Sequence, residues 1–350
     1  MKSLVYVRIL LTILLGLLIW DSPRLGAQTR LVEDSLGQKV AVPQEVLRVA
    51  PIIPAFCQVT EMLTRGGGKV VAFPRAGISD YFKKVFPDLH QSNPKGLDSR
   101  SIEDVIASGA QVLFGPTQMF LSDDQSAQLR GAGVSVVAVN GLRSVEELSQ
   151  SFTIIGQILG PLETQRAGEF VRYYQGNVAL AARLSSSLPT EKKLKVLFLY
   201  GTGSAYRTIN NKDISHHYLS AAGGVNLAAD YQDTGQMGAV IDPETIVSMA
   251  PEVIFSSGPI DRLDILADPV LAEVPAVKNG RVYACPKGIF VWFARSAEGA
   301  MMPLWLGSQL YPDLFKEVDM KKVVQNYFGQ FYSYKIPADE LNEVLNPTKP

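Results

Sequence analysis

The side chains best suited to chemistry in this sequence are arginines and aromatics set in loops, not a nucleophile with its base. Arg75, Tyr81, Tyr206, Arg207, Trp292 and Arg295 each stand in or beside a segment that follows a short apolar run. Aromatic faces supply contact area, and a guanidinium supplies bidentate pairing with an anion, so together they suit a bulky, partly aromatic, negatively charged ligand. Arg295 has a second use open to it, an ion pair with Glu298 three residues on. Trp292 lies between Val291 and Phe293, so that run either faces the core or meets the ligand. His216 and His217 are adjacent and on a helix would point about 100° apart, so they do not easily grip one metal ion. One of them faces the cleft or caps a helix; with His90 the three make a poor closed zinc site, and no resident metal or cofactor is expected.

Motifs of the common enzyme classes are missing. Gly201-Thr202-Gly203-Ser204-Ala205-Tyr206 begins like a dinucleotide loop but carries Tyr at the third glycine position. Gly66-Gly67-Gly68-Lys69 lacks the upstream Gly and the following Ser/Thr of a phosphate loop and reads as a helix C-cap. Neither a Gly-x-Ser-x-Gly elbow nor a Cys-x-x-Cys pair occurs. Cys57 and Cys285 fall in loops of different halves, so two separate buried thiols are expected rather than a bridge that would lock them together.

The elements that must position these loops alternate. Apolar runs at 69–73, 111–114, 135–139, 194–200, 252–255 and 281–284 are separated by helical patterns, the rhythm of mostly parallel α/β sheets. That rhythm stops in the middle. Ser144 and Glu147 form a capping box ahead of a helix faced by Val145, Leu148, Phe152, Ile155 and Leu159. Gly160-Pro161 closes it and opens a helix over 162–185 about 36 Å long. A helix of that length without strands around it suits a rigid bridge between two lobes, which would keep their relative motion small. The expected organisation is therefore an N-terminal α/β lobe over 28–143, a helical linker over 144–189, and a C-terminal α/β lobe with terminal helices over 190–350. Ligands of such sheets bind outside the strands' carboxyl ends, so the cleft should lie between the lobes.

An internal repeat supports two lobes. Ser101-Ile102-Glu103 and Asp242-Pro243-Glu244 each read as an N-cap, a first helical residue and an acidic second one. Each glutamate is followed nine residues later by Val and eleven later by Phe, in a buried strand. Glutamate in a first turn is favoured by the helix dipole alone. Equivalent placement on two lobes argues for a paired external role.

Residues 1–27 read as an export signal. Lys2 and Arg8 lead into an apolar run ending at Trp20, Leu25-Gly26-Ala27 offers a small-residue cleavage site, and no cysteine follows for lipid attachment. Retention of the run as an anchor is the alternative, although about 12 apolar residues fall short of the ~20 of a bilayer span. Three cations and one anion leave with the signal, so the net charge falls from −1 to −3. That near-neutral balance, without a basic stripe, argues against nucleic-acid binding.

Across nearly the whole of 28–350 the sequence resembles the periplasmic binding proteins of iron–siderophore, haem and cobalamin ABC importers, the class with a rigid interlobe helix. Residues 48–50 and 60–63 resemble its opening strand and helix, 221–226 the end of its second-lobe helix, and 276–283 its late strand entry. Arg295-Ser296-Ala297-Glu298-Gly299-Ala300 with 304–306 and 310–315 is the most specific stretch. The resemblance implies a periplasmic, non-enzymatic solute-binding protein, expected to act as a monomer. Its ligand would be a metal chelate, a ferric siderophore first and haem or a corrinoid second. It also implies docking to the permease subunits through one glutamate per lobe, and Glu103 and Glu244 stand at the matching positions.

Overall fold

The computed structural model describes residues 28–201, 206–232, 238–293 and 295–348. The expected signal, 1–27, lies outside them, as do 202–205, ahead of the nominated Tyr206, and 294, ahead of the nominated Arg295.

The chain enters through an antiparallel hairpin, β1 (Thr29–Glu33) with β2 (Lys39–Pro43). The first lobe is a parallel sheet in the order β3 (Val49–Pro51), β4 (Val112–Gly115), β5 (Ser135–Ala138), with Val49 opposite Val112 and Val112 opposite Ser135. Every β4 residue is buried, as a strand covered on both faces requires. The apolar run at 69–73 contributes only a bridge at Val70 and not a full strand. Helices α1 (Pro54–Thr64), α2 (Asp80–Val85), α3 (Ile102–Ala107), α4 (Thr117–Phe120) and α5 (Asp123–Gly131) complete this lobe.

Next come α6 (Val145–Leu159) and α7 (Pro161–Ser185). Ser144 accepts the N–H of Glu147, while the Glu147 carboxylate turns back to the N–H groups of Leu142 and Arg143. Gly160 joins the helices at φ +144°, a conformation that side chains rarely adopt. Phe152 of α6 meets Phe170 of α7 edge to face at 5.2 Å. The bridging role of α7 is visible in its partners. Near its start Glu163 pairs with Lys69 at 3.1 Å, and Arg166 donates to the Leu63 carbonyl at 2.7 Å, both in the first lobe. Further on Tyr174 shares a 2.6 Å hydroxyl contact with Tyr218, and Asn177 donates to the Ala300 carbonyl, both in the second.

The second lobe is a parallel sheet in the order β11 (Val282–Ala284), β10 (Val253–Ser256), β6 (Lys195–Leu199), β8 (Val225–Asn226). A two-stranded antiparallel ribbon, β7 (Tyr206–Thr208) with β9 (Ala239–Ile241), stands beside it. Helices α8 (Ile214–Ala221), α9 (Pro243–Met249), α10 (Pro259–Ala267) and α11 (Met302–Leu310) pack around the strands. The repeat read from sequence is structural. Ser101 caps α3 through the N–H of Asp104, Asp242 caps α9 through that of Thr245, and each short helix feeds an interior strand, β4 or β10.

The last helices, α12 (Met320–Tyr332) and α13 (Ala338–Leu345), do not stay with the second lobe. Tyr332 meets Phe86 edge to face at 5.1 Å, Phe331 meets Phe170 at 5.1 Å, and Glu340 pairs with Lys84 at 2.6 Å. They strap the second half of the chain to the first.

Candidate functional site

Between the segment that follows β5 and the segments that flank α8 and β9, residues from both lobes line a cavity of about 70 Å³. It is lined by Arg143, Ile209, Asn210, Lys212, Asp213, Gly238 and Arg295. Arg143 arrives from the segment after β5 in the first lobe; the others come from the second. Asp213 is the N-cap of α8. Its Oδ1 accepts the N–H of Ser215 at 2.9 Å, and its Oδ2 meets Nη2 of Arg295 at 2.8 Å. Its charge is thereby engaged. Among the described residues neither Arg143 nor Lys212 is in an ion pair, which leaves the wall cationic. Asn210 is buried and fixed by donation to the Tyr231 carbonyl at 2.9 Å, so the wall also holds a rigid amide.

Of the residues nominated from sequence, Arg295 lines this cavity and is paired with Asp213, not with Glu298. Arg207 stands on the β7–β9 ribbon and reaches toward the carbonyl of Gly238, a wall residue, at 3.5 Å. His216 is half-buried with Nδ1 3.5 Å from Asn226, and its pKa is lowered, first by burial and then by the neighbouring His217. His217 is exposed, its ring edge-on to His216 at 5.8 Å, so the two rings do not converge on one point. No cluster of three or more acidic, His or Cys side chains is placed to hold a metal among the described residues.

Four other nominated residues lie outside this cavity. Tyr206 is 1% exposed, and its hydroxyl donates to Asp268 at 2.8 Å, away from the cleft. Trp292 is fully buried in the core beneath the loop; alternation along 291–293 turned it inward. Arg75 points to the start of α3, with Nε on the Gly96 carbonyl and Nη2 3.8 Å from Asp104. Tyr81 packs 6.5 Å from Phe328 and lines a separate hollow of about 270 Å³ with Lys287, Glu340 and Val344. Burial, then Glu340, push its hydroxyl pKa up. Cys57 and Cys285 are both free and buried.

Sequence reasoning singled out none of Arg143, Asn210, Lys212 and Asp213, although the strand-end rule nominates the segment 201–217 that holds the last three. Arg143 was accessible to the strand-end rule, since it lies in the short segment between β5 and the Ser144 cap. Asp213 carries a cap signal, but its partner is 82 residues away.

One buried cluster holds the cleft's second-lobe rim in place. The Glu298 carboxylate accepts the N–H groups of Gly288, Ile289 and Phe290 at 3.2, 2.9 and 3.4 Å and the Tyr332 hydroxyl at 2.9 Å. Gln58 of the first lobe donates to the same hydroxyl at 2.7 Å and accepts from Ala297 N–H at 3.1 Å. Burial raises the Glu298 pKa to about 7, while these bonds hold it down. Glu103 and Glu244 stand apart from the cavity, exposed near the starts of α3 and α9.

Comparison with known proteins agrees with the two-lobe fold. A family model described as periplasmic binding protein matches residues 100–288. The molybdate-binding protein MolA of Haemophilus influenzae is 23% identical over 87% of this chain and 92% of its own length. An uncharacterised ABC transporter substrate-binding lipoprotein, YvrC of Bacillus subtilis, is 24% identical over 82% of this chain and 87% of its own. Among solved structures, a periplasmic solute binding protein from Veillonella parvula shares the fold with a TM-score of 0.78. It is 23% identical, covering 91% of this chain and 97% of that one. MolA bound to molybdate superposes with a TM-score of 0.74 at 20% identity, covering 88% and 99%. With its matching family model spanning more than half its length, its two parallel-sheet lobes and its long interlobe helix, the chain belongs to the periplasmic binding protein family, whose members bind solutes rather than transform them.

Proposed function

We propose that this chain is the exported, solute-binding component of an ABC importer, trapping a compact anion between its lobes and handing it to the membrane permease. The observation that carries this reading is the cavity built from both lobes, with Arg143, Lys212 and Arg295 on its wall and one carboxylate already engaged. Cations around a small cavity select charge, and a fixed guanidinium suits a planar or tetrahedral oxyanion. About 70 Å³ is far below the 300–1,000 Å³ typical of drug-sized ligands. A metal oxyanion fits that scale, and a relative similar along most of the chain is named as molybdate-binding.

A bulkier anionic metal chelate, a ferric siderophore before haem or a corrinoid, is the second reading. It is favoured by a hollow of about 360 Å³ at the rim, lined by Gly77, Ile78, Ser79, Lys287 and the segment 289–291. Burial of Tyr206 and Trp292 removes two of the aromatic contacts that such a ligand would use.

Calorimetric titration separates the readings, with molybdate, tungstate, sulfate and phosphate in one set and a ferric hydroxamate, a ferric catecholate, haemin and cyanocobalamin in the other. Saturable binding in the first set alone supports the compact anion; binding in the second alone transfers the assignment to a chelate. Silence across both sets would remove the solute-binding reading of the cavity.

A further inference from the structure

The two repeat units share more than their glutamates. Three residues after each, one turn along the same face, stands an exposed aliphatic residue, Ile106 on α3 and Val247 on α9, each 38% exposed. Beyond each interior strand, at its carboxyl end, the next helix again leaves a large apolar side chain in water: Met119 on α4, 74% exposed, and Leu263 on α10, 61% exposed. In the first lobe these pieces adjoin, because Arg100, just ahead of the Ser101 cap, lies over the ring of Phe120 at 5.3 Å.

Single exposed apolar residues need no explanation. Here the same pair, a carboxylate and an aliphatic side chain one turn on, recurs at equivalent places on two lobes. Sheet packing gives no reason for that, since Ile102, Val105 and Ile246 already supply the buried face of these helices. Among the described residues neither glutamate is in an ion pair, so each stands ready for a cation from outside.

We infer that Ile106 and Val247 are apolar anchors of the transporter-docking face. Each would seat beside its glutamate in one of two like sockets that combine a cation with an apolar wall. This rests on the importer reading above and deepens it. The carboxylates steer and set orientation, as exposed charges do, and the desolvated aliphatic side chains hold the complex. The occupant is a partner with two equivalent subunits, because two equivalent units on one rigid chain match a two-fold repeated surface.

The test uses the full-length mature protein and the permease–ATPase complex encoded with it, reconstituted in nanodiscs, with binding followed by interferometry at low and high salt. The pair I106S/V247S should raise Kd about tenfold or more at both salt concentrations, mainly through faster dissociation, with melting temperature unchanged. The pair E103Q/E244Q should slow association and abolish its salt dependence. A Kd within twofold of wild type for I106S/V247S overturns the proposal, whatever the glutamate pair does. An effect of I106S/V247S without one of E103Q/E244Q keeps the anchors and removes the docking glutamates. If neither pair changes binding, the docking reading itself fails. A light-scattering mass of twice the monomer that I106S/V247S halves would assign the face to self-association instead and also overturn it.

Discussion

Asp213 and Arg295 are 82 residues apart in sequence, yet their side chains meet at 2.8 Å on the wall of the interlobe cavity. The pairing orients Arg295 and quenches Asp213, the one carboxylate among the described residues that line the cavity. Arg295→Ala therefore does two kinds of harm, removing a cation and exposing an anion. Calorimetry with the bound anion should show affinity falling by about 100-fold, and Asp213→Asn added to it should restore roughly tenfold. Strict additivity of the two changes would show that the pair is not coupled at the site.

Arg143 and Lys212 supply charge without an ion-pair partner among the described residues. Replacing either by Ala should weaken anion binding by about 5- to 20-fold, and raising NaCl from 50 to 500 mM should shrink that difference because these cations face solvent. Arg75→Ala is the matched control. Its guanidinium is engaged at Asp104 and Gly96, so affinity should stay within twofold.

Gly288 is packed so tightly against Glu298 that an added Cβ would lie 2.4 Å from Oε2. Gly288→Ala should cost about 1–3 kcal/mol in urea unfolding, since that carboxylate is pinned by several other donors. Glu298→Ala should cost more, about 3–5 kcal/mol, because buried N–H groups and the Tyr332 hydroxyl lose their acceptor. Both should loosen the 287–290 rim, read as faster amide exchange there.

Glu61 is buried on α1 without a hydrogen-bond partner among the described residues, and its pKa is raised to about 8, chiefly by burial and then by Asp88. In the folded state it holds its proton across a range where the unfolded chain, near 4.5, has released it. Its contribution is fully present below pH 4.5 and is lost as pH climbs through about 8. Glu61→Met should flatten this decline between pH 5 and 8 and raise the melting temperature at pH 8, where the wild-type side chain is an unpaired buried charge. Equal melting temperatures of the two proteins at pH 8 would contradict it.

Periodicity and caps made much of the architecture legible. The 145–159 and 162–185 helices emerged to within a residue because an apolar stripe, Ser144 and Gly160-Pro161 are local signals. The repeat located the interior strands for a similar reason. The β1–β2 hairpin and the β7–β9 ribbon carry short, half-exposed strands with weak alternation, and the sequence pattern missed them. Tyr206 and Trp292 show the limit for side chains: an aromatic residue in a loop packs inward or outward according to neighbours that only folding brings near.

The sequence by itself determined the alternating α/β class, the long central helix and the twin capped units that carry Glu103 and Glu244, because each depends on residues within a few turns of one another. The tertiary structure decided which charges share a cavity. Arg143, Lys212, Asp213 and Arg295 come together from segments up to 152 positions apart. Only the closing of two sheets around α7 makes one cationic wall of them.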